Sequence, residues 1–204
     1  KEPPVVLDTF GYVANPIQLR NQLEDNGTKH SPILGWAFDG NPIYGPYGYT
    51  NGKNDSGGIE RQRSGYVVRS NRDGMGSNPP AVGAYNPSTG TYPMGSFTQD
   101  FEYKPATTSD LILATEAGLE ITTQDGDELE TDTANVAGNV LDRNNGKICN
   151  TPEYPEELYP DGVFAYFLTV NSSDTAPVFP YYLGTTFNNR PLSQIKTLTT
   201  TDVA

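Results

Sequence analysis

One histidine, His30, and one cysteine, Cys149, occur among the 204 residues of this chain, and those two counts close most routes to side-chain chemistry. Nucleophilic hydrolysis needs a base within hydrogen-bond reach of a hydroxyl or thiol. His30 is the sole imidazole, adjacency alone does not make Ser31 its partner, and no G-x-S-x-G elbow occurs. Zinc or copper wants several His or Cys ligands, so no metal is expected. Asp39 and Asp142 are candidates for paired-carboxylate acid–base work. Asp39, however, stands before Gly40, where its side chain ordinarily bonds the backbone of a tight turn. The acidic run 125–130 lacks the Asp and Gly spacing of an EF-hand loop. Gly74-Met75-Gly76 lacks the Lys-Ser/Thr of a phosphate loop. The expectation is a protein without catalysis and without a cofactor, in which His30 bonds structurally and Cys149 packs as a small apolar side chain.

What remains for chemistry is aromatic. The chain holds 13 Tyr, 8 Phe and 1 Trp, many of them beside Asn, Asp and Gly loops. Trp36, Asp39, Tyr44, Tyr47, Tyr49, Tyr181 and Tyr182 are the candidate ligand-binding residues, of the types that sugar-binding surfaces and protein interfaces use. The alternative for those within strands is that they pack a core.

Positioning them falls to short elements. Residues 33–38, Ile-Leu-Gly-Trp-Ala-Phe, are bounded by Pro32 and Asp39-Gly40 and read as a strand buried on both faces. Trp36 and Phe38 should then lie against Phe164, Tyr166 or Phe167. Asn15 as N-cap, Pro16 at the first helical position and Gln18 beyond predict a helix carrying Ile17, Leu19 and Leu23, with Gly27 able to cap its end. Short strands are predicted at 5–7, 65–69 and 164–170. Residues 171–174 form a turn after which 178–183 could return as a hairpin. Residues 111–113 and 119–122 are strands or a short helix plus a strand; the pattern does not decide. Arg61, Arg63, Arg69 and Arg72 read as a solvated basic cluster. The fold expected is mainly β: a single loop-rich β domain, sandwich-like or of irregular sheets, with one or two short helices.

Charge narrows the partners. Residues 1–99 carry 8 acidic and 8 basic side chains, 100–174 carry 16 and 3, and 175–204 carry 1 and 2, which together make the net charge of −12. Phosphate binding needs Lys and Arg clusters, so nucleic acid is excluded as a partner. No apolar run approaches the ~20 residues of a membrane span, and no signal peptide is visible. Starting at Lys1 rather than Met, the chain reads as a processed product or part of something longer.

The segment from His30 to Tyr49, HSPILGWAFDGNPIYGPYGY, resembles the run HSPIIGYAFDGFPIYGPYGY of the YHYH domain family almost position by position. Downstream, 141–155 (LDRNNGKICNTPEYP) is similar to the family's LDECNGRFCVTPEYP. Residues 162–167 (GVFAYF) with 179–184 (FPYYLG) are similar to its YHYH tetrad and FPYxIG ending. Phe164-Ala165-Tyr166-Phe167 stands in place of the tetrad, and Asn144 stands at the family's first cysteine, so histidine chemistry or cysteine pairing in relatives has no counterpart here. The variant is similar to the form found in tail-associated structural proteins of marine tailed phages. That resemblance implies a structural component of a virion (tail, fibre or baseplate-associated) or of a similar extracellular assembly. The implied partners are other copies of itself or other virion proteins, with host-surface glycan as a candidate ligand. The rival is a secreted bacterial member with a metal-dependent or carbohydrate-related activity, for which His or Cys ligands are missing. On this reading residues 1–190 form the domain, 105–140 are an exposed acidic insertion dispensable for folding, and 191–204 are a tail or linker.

Overall fold

A computed structural model describes residues 15–104 and 139–188. The expected strand at 5–7, the segments 111–113 and 119–122, the acidic run from Asp125 and the tail from Pro191 lie outside them. The chain is mainly β, loop-rich, with short helices. Among the described residues its sheets are small: one of four strands and three of two. The central sheet is mixed and has the order β1 (Ile33–Trp36), β2 (Pro42–Tyr44), β10 (Val163–Phe167), β9 (Gly146–Cys149). β2 runs antiparallel to β1 and parallel to β10, and β10 is antiparallel to β9. Three two-stranded ribbons flank it: β3 (Tyr47–Tyr49) with β4 (Ile59–Arg61), β5 (Tyr66–Val68) with β8 (Phe101–Tyr103), and β6 (Ala81–Val82) with β7 (Thr91–Tyr92).

Register explains the core. Phe167 lies opposite Tyr44, Ala165 opposite Lys147 and Val163 opposite Cys149, and side chains alternate along a strand, so these residues share one face. Tyr44, Leu141, Cys149, Ala165 and Phe167 form the buried cluster there, with Ile33 against it. Each fully buried aromatic contributes about 1.5–3 kcal/mol.

The run 33–38 departs from expectation. The strand stops at Trp36, which is 58% exposed, and Phe38 is 72% exposed. β1 is an edge strand with a register shift between Ile33 and Gly35, and the turn that follows carries Phe38 away from the core. Phe38 meets Phe187 edge-on, at 6.3 Å and 89°. The places expected for Trp36 and Phe38 are filled otherwise: Phe167 stacks on Tyr44, and Phe164 packs against Tyr166.

The helix, α1 (Ile17–Gln22), begins one residue late, without a side-chain cap. Asn15 Oδ1 instead accepts from Nη1 of Arg20. Ile17 and Leu23 are exposed, and the buried helical residue is Arg20, whose guanidinium is held by Asp25 and Asp174. Glu24, at φ 56°, takes the left-handed conformation expected of Gly27 at the helix end. Gly27 is itself left-handed (φ 81°) further on, where a Cβ would lie 2.9 Å from the Tyr47 ring.

Of the four arginines expected at a solvated surface, Arg63 and Arg69 are exposed, Arg61 is half-buried and Arg72 is buried. Arg61 donates to the Val170 carbonyl, Arg63 to Asn139 and Arg69 pairs with Glu102. Arg72 is buried: it makes a two-pronged bond to Asp100 and donates to the carbonyls of Pro80, Ala81, Tyr92 and Pro93. That one side chain ties together the loops around β6 and β7. The final two residues assigned to the acidic insertion, Asn139 and Val140, join the packed body through Arg63. β10 ends at Phe167, and 178–183 returns as turns rather than a strand. It is held through Val178 N–H to Thr169 O and Thr169 N–H to Tyr181 O, while Pro180 has no N–H for a ladder.

Candidate functional site

The seven aromatic and acidic candidates separate into an interior group, an exposed turn and a C-terminal corner. In the interior, the loop after α1 brings His30 against three rings: Tyr44 at 5.0 Å, Tyr49 at 4.8 Å and Phe167 at 5.9 Å. Tyr44 is wholly buried, and its hydroxyl meets Thr151 Oγ1 at 2.8 Å and donates to Glu153 at 2.9 Å. Tyr49 is half-buried. Tyr47 turns the other way, donating to Asp174 beside the Arg20 guanidinium.

Burial sets the titration of this interior. It presses the His30 imidazole down to about 4, an effect that nearby Lys147 reinforces and the bond to the Ser31 carbonyl opposes. Lys147, on β9, is pushed below the usual lysine range by burial. Burial likewise lifts the Cys149 thiol to about 11, with Lys147 working against it, and raises the Tyr44 phenol. At neutral pH the imidazole is therefore uncharged, the thiol protonated and the phenol intact. His30, Tyr44, Lys147 and Cys149 are all buried. Lys147 was missed in the sequence, although it stands two residues from Cys149 on a strand and must share its face.

The second group is the turn between β1 and β2. Asp39 is buried and structural, as the Asp-Gly pair implied. Its Oδ1 accepts from Asn41 N–H, and its Oδ2 accepts from Asn41 Nδ2 and, at 2.7 Å, from the Tyr166 hydroxyl. Ala37 N–H donates to Asn41 O, Gly40 N–H to Ala37 O, and Gly40 sits at φ 87°. Around this bonded loop Trp36 and Phe38 face outward. Both are expected in the core from the sequence, and both are exposed.

Tyr181 (41% exposed) and Tyr182 lie in the C-terminal corner, where Tyr181 packs edge-on against Phe179. Among the described residues no group of three or more His, Cys, Asp and Glu is placed to hold a metal ion, and no helix is long and apolar enough to cross a membrane.

Residues 8–127, more than half of the chain, match the family described as YHYH protein. The match takes in the segment His30 to Tyr49, whereas the segments 141–155 and 162–184, which supply β9 and β10, lie beyond it. No curated protein and no solved structure is significantly similar to the chain.

Proposed function

The chain belongs to the YHYH protein family, and on that premise we propose that it is a structural component of a phage virion, tail-, fibre- or baseplate-associated, or of a similar extracellular assembly. It acts by contact and not by catalysis. The observation that carries this reading is the pair Trp36 and Phe38, both exposed on a turn whose backbone is fixed by Asp39, Asn41 and Tyr166. Large aromatics held rigid at a surface are what interface anchors are made of, because little conformational freedom is lost when they are covered. The partner is another copy of the chain or a neighbouring virion protein. Host-surface glycan is the other ligand that an exposed Trp suits.

Hydroxyl-radical footprinting tests the contact by comparing the isolated chain with the particle that carries it. Trp36 and Phe38 should oxidise readily in the isolated chain and be protected in the particle. Equal oxidation in both would remove the turn as the point of attachment. Protection that appears only when host glycan is added would assign the turn to receptor binding instead.

A further inference from the structure

We propose that His30 is an acid-sensitive latch: its neutral imidazole fastens the loop between α1 and β1 onto β2, β3 and β10, and a proton taken up at Nε2 releases it.

The geometry comes first. His30 is 5% exposed. Its Nδ1 lies 2.8 Å from the Ser31 carbonyl oxygen, which can only accept, so Nδ1 carries the ring proton. Nε2 is then the bare nitrogen, buried and without a hydrogen-bond partner. The rings of Tyr44, Tyr49 and Phe167 enclose it. Protonation would create an Nε2–H with nothing to accept it and a positive charge in an apolar cage.

The charged groups around the cage add no relief. From β9 come the buried ammonium of Lys147, which repels an imidazolium, and the protonated Cys149 thiol. From β2, Tyr44 is committed to Thr151 and to Glu153, the carboxylate on that side. From β3, Tyr49 lies within the influence of Asp55 and Glu153. From β4, Glu60 acts on Lys147 and accepts from Asn139. β10 contributes Phe167, Ala165 and the neighbouring Tyr166, whose hydroxyl belongs to Asp39.

The sign follows. The closed state holds the imidazole near 4, while an open loop leaves it near the ordinary value of about 6.5. The open state binds more protons between those limits, so acidification favours opening there, by up to about tenfold per pH unit. Above about 6.5 the latch is insensitive to pH. Ser31 carries the consequence onward, since its Oγ donates to Asp25 and accepts from Tyr47 N–H. Departure of His30 loosens that junction and uncovers the cluster containing Tyr44 and Cys149.

The chain supplies its own probes. Cys149, the sole cysteine and buried, reports opening through its reaction with 4,4′-dithiodipyridine, which labels thiols in acid. Rates are taken relative to the same chain in urea. In the wild type the relative rate should climb by up to about tenfold per unit as pH falls from 6.5 towards 4. In His30→Phe, which fills the cage without a titrating group, it should stay flat. His30→Gln serves the same purpose should the Phe variant not fold. Independently of any variant, the single imidazole of a tag-free chain can be titrated by NMR without assignment. Its midpoint should lie well below 6.5. A midpoint at or above 6.5, a flat wild-type profile, or an acid acceleration that both variants retain would overturn the latch.

Discussion

The Tyr166 hydroxyl donates to Asp39 Oδ2 at 2.7 Å, joining the β1–β2 turn to a strand 127 residues away. The same hydroxyl oxygen accepts from the N–H of Asn188. One side chain on the central strand thus fixes both the turn that presents Trp36 and Phe38 and the segment carrying Phe187.

Tyr166→Phe removes that junction while keeping the ring. A hydrogen bond to a charged group is worth about 1.5–3 kcal/mol, so the urea midpoint should fall accordingly with the m-value unchanged. The footprint of Trp36 and Phe38 should broaden at the same time, because the turn loses its anchor. An unchanged midpoint would mean that Asp39 finds an equivalent partner and the turn is held by its own backbone.

Trp36→Ala separates contact from folding. An exposed side chain away from caps and buried networks usually changes stability by no more than about 0.5 kcal/mol, and that is the expectation here despite the size of the residue. Phe167→Ala, in the core against Tyr44 and His30, should cost about 3–5 kcal/mol. Thermal melts of the two variants decide the matter. A large loss in Trp36→Ala together with a small one in Phe167→Ala would invert the core described above.

The sequence signalled the elements better than their burial. The Asp39-Gly40 turn, the strand around Tyr66 and Val68 and the apolar strand at 163–167 are local, because turn chemistry and β-rich runs act over a few residues. Trp36 and Phe38 were misread because an apolar run does not say whether its strand is central or at an edge. That depends on β10 arriving beside β2 from more than a hundred residues away. Arg72 was misread for the opposite reason. Charge suggests solvent, yet its partner Asp100 lies 28 residues distant. The buried Arg20, held by Asp174 from 154 residues away, gave no signal in the sequence at all. The interior of His30, Tyr44, Tyr49 and Phe167 was legible only as separate aromatics.

Arg72 should prove to be the fastener of the residues between β5 and β8. Both members of its pair with Asp100 are buried, at 2.6 Å, and the ribbons around it have few apolar contacts to fall back on. Arg72→Met removes the cation that Asp100 is paired with and the side-chain donor that four loop carbonyls share. The buried carboxylate is left with only the Gly95 and Phe97 N–H groups. Limited proteolysis should then cut within 70–100 at least tenfold faster, with the central sheet intact by circular dichroism. The bond to Arg72, helped by N–H groups of Phe97 and Gly95, holds the Asp100 carboxyl down at about 2 against burial. A lowered carboxyl stabilises above its ordinary range and loses that contribution as pH falls through the folded value. Protection of this loop in the wild type should therefore begin to fail below about pH 4 and be gone near pH 2. Arg72→Met should show no such step.

Cys149 provides the last test, because a lone thiol in an extracellular assembly invites the idea of a disulfide between copies. Its sulfur is buried, in one row with Lys147 on β9 and opposite Val163 on β10. Burial raises the thiol to about 11 from an ordinary 9, which at pH 8 leaves about 100-fold less thiolate than an ordinary cysteine carries. Inaccessibility slows reaction further. Iodoacetamide at pH 8 should leave the folded chain unmodified by mass after an hour and label it fully in urea. Under mild oxidant, non-reducing gels should show no covalent dimer until the chain is unfolded. Rapid native labelling, or a dimer that vanishes in Cys149→Ser, would place the thiol at the surface and make it a candidate for joining copies of the chain.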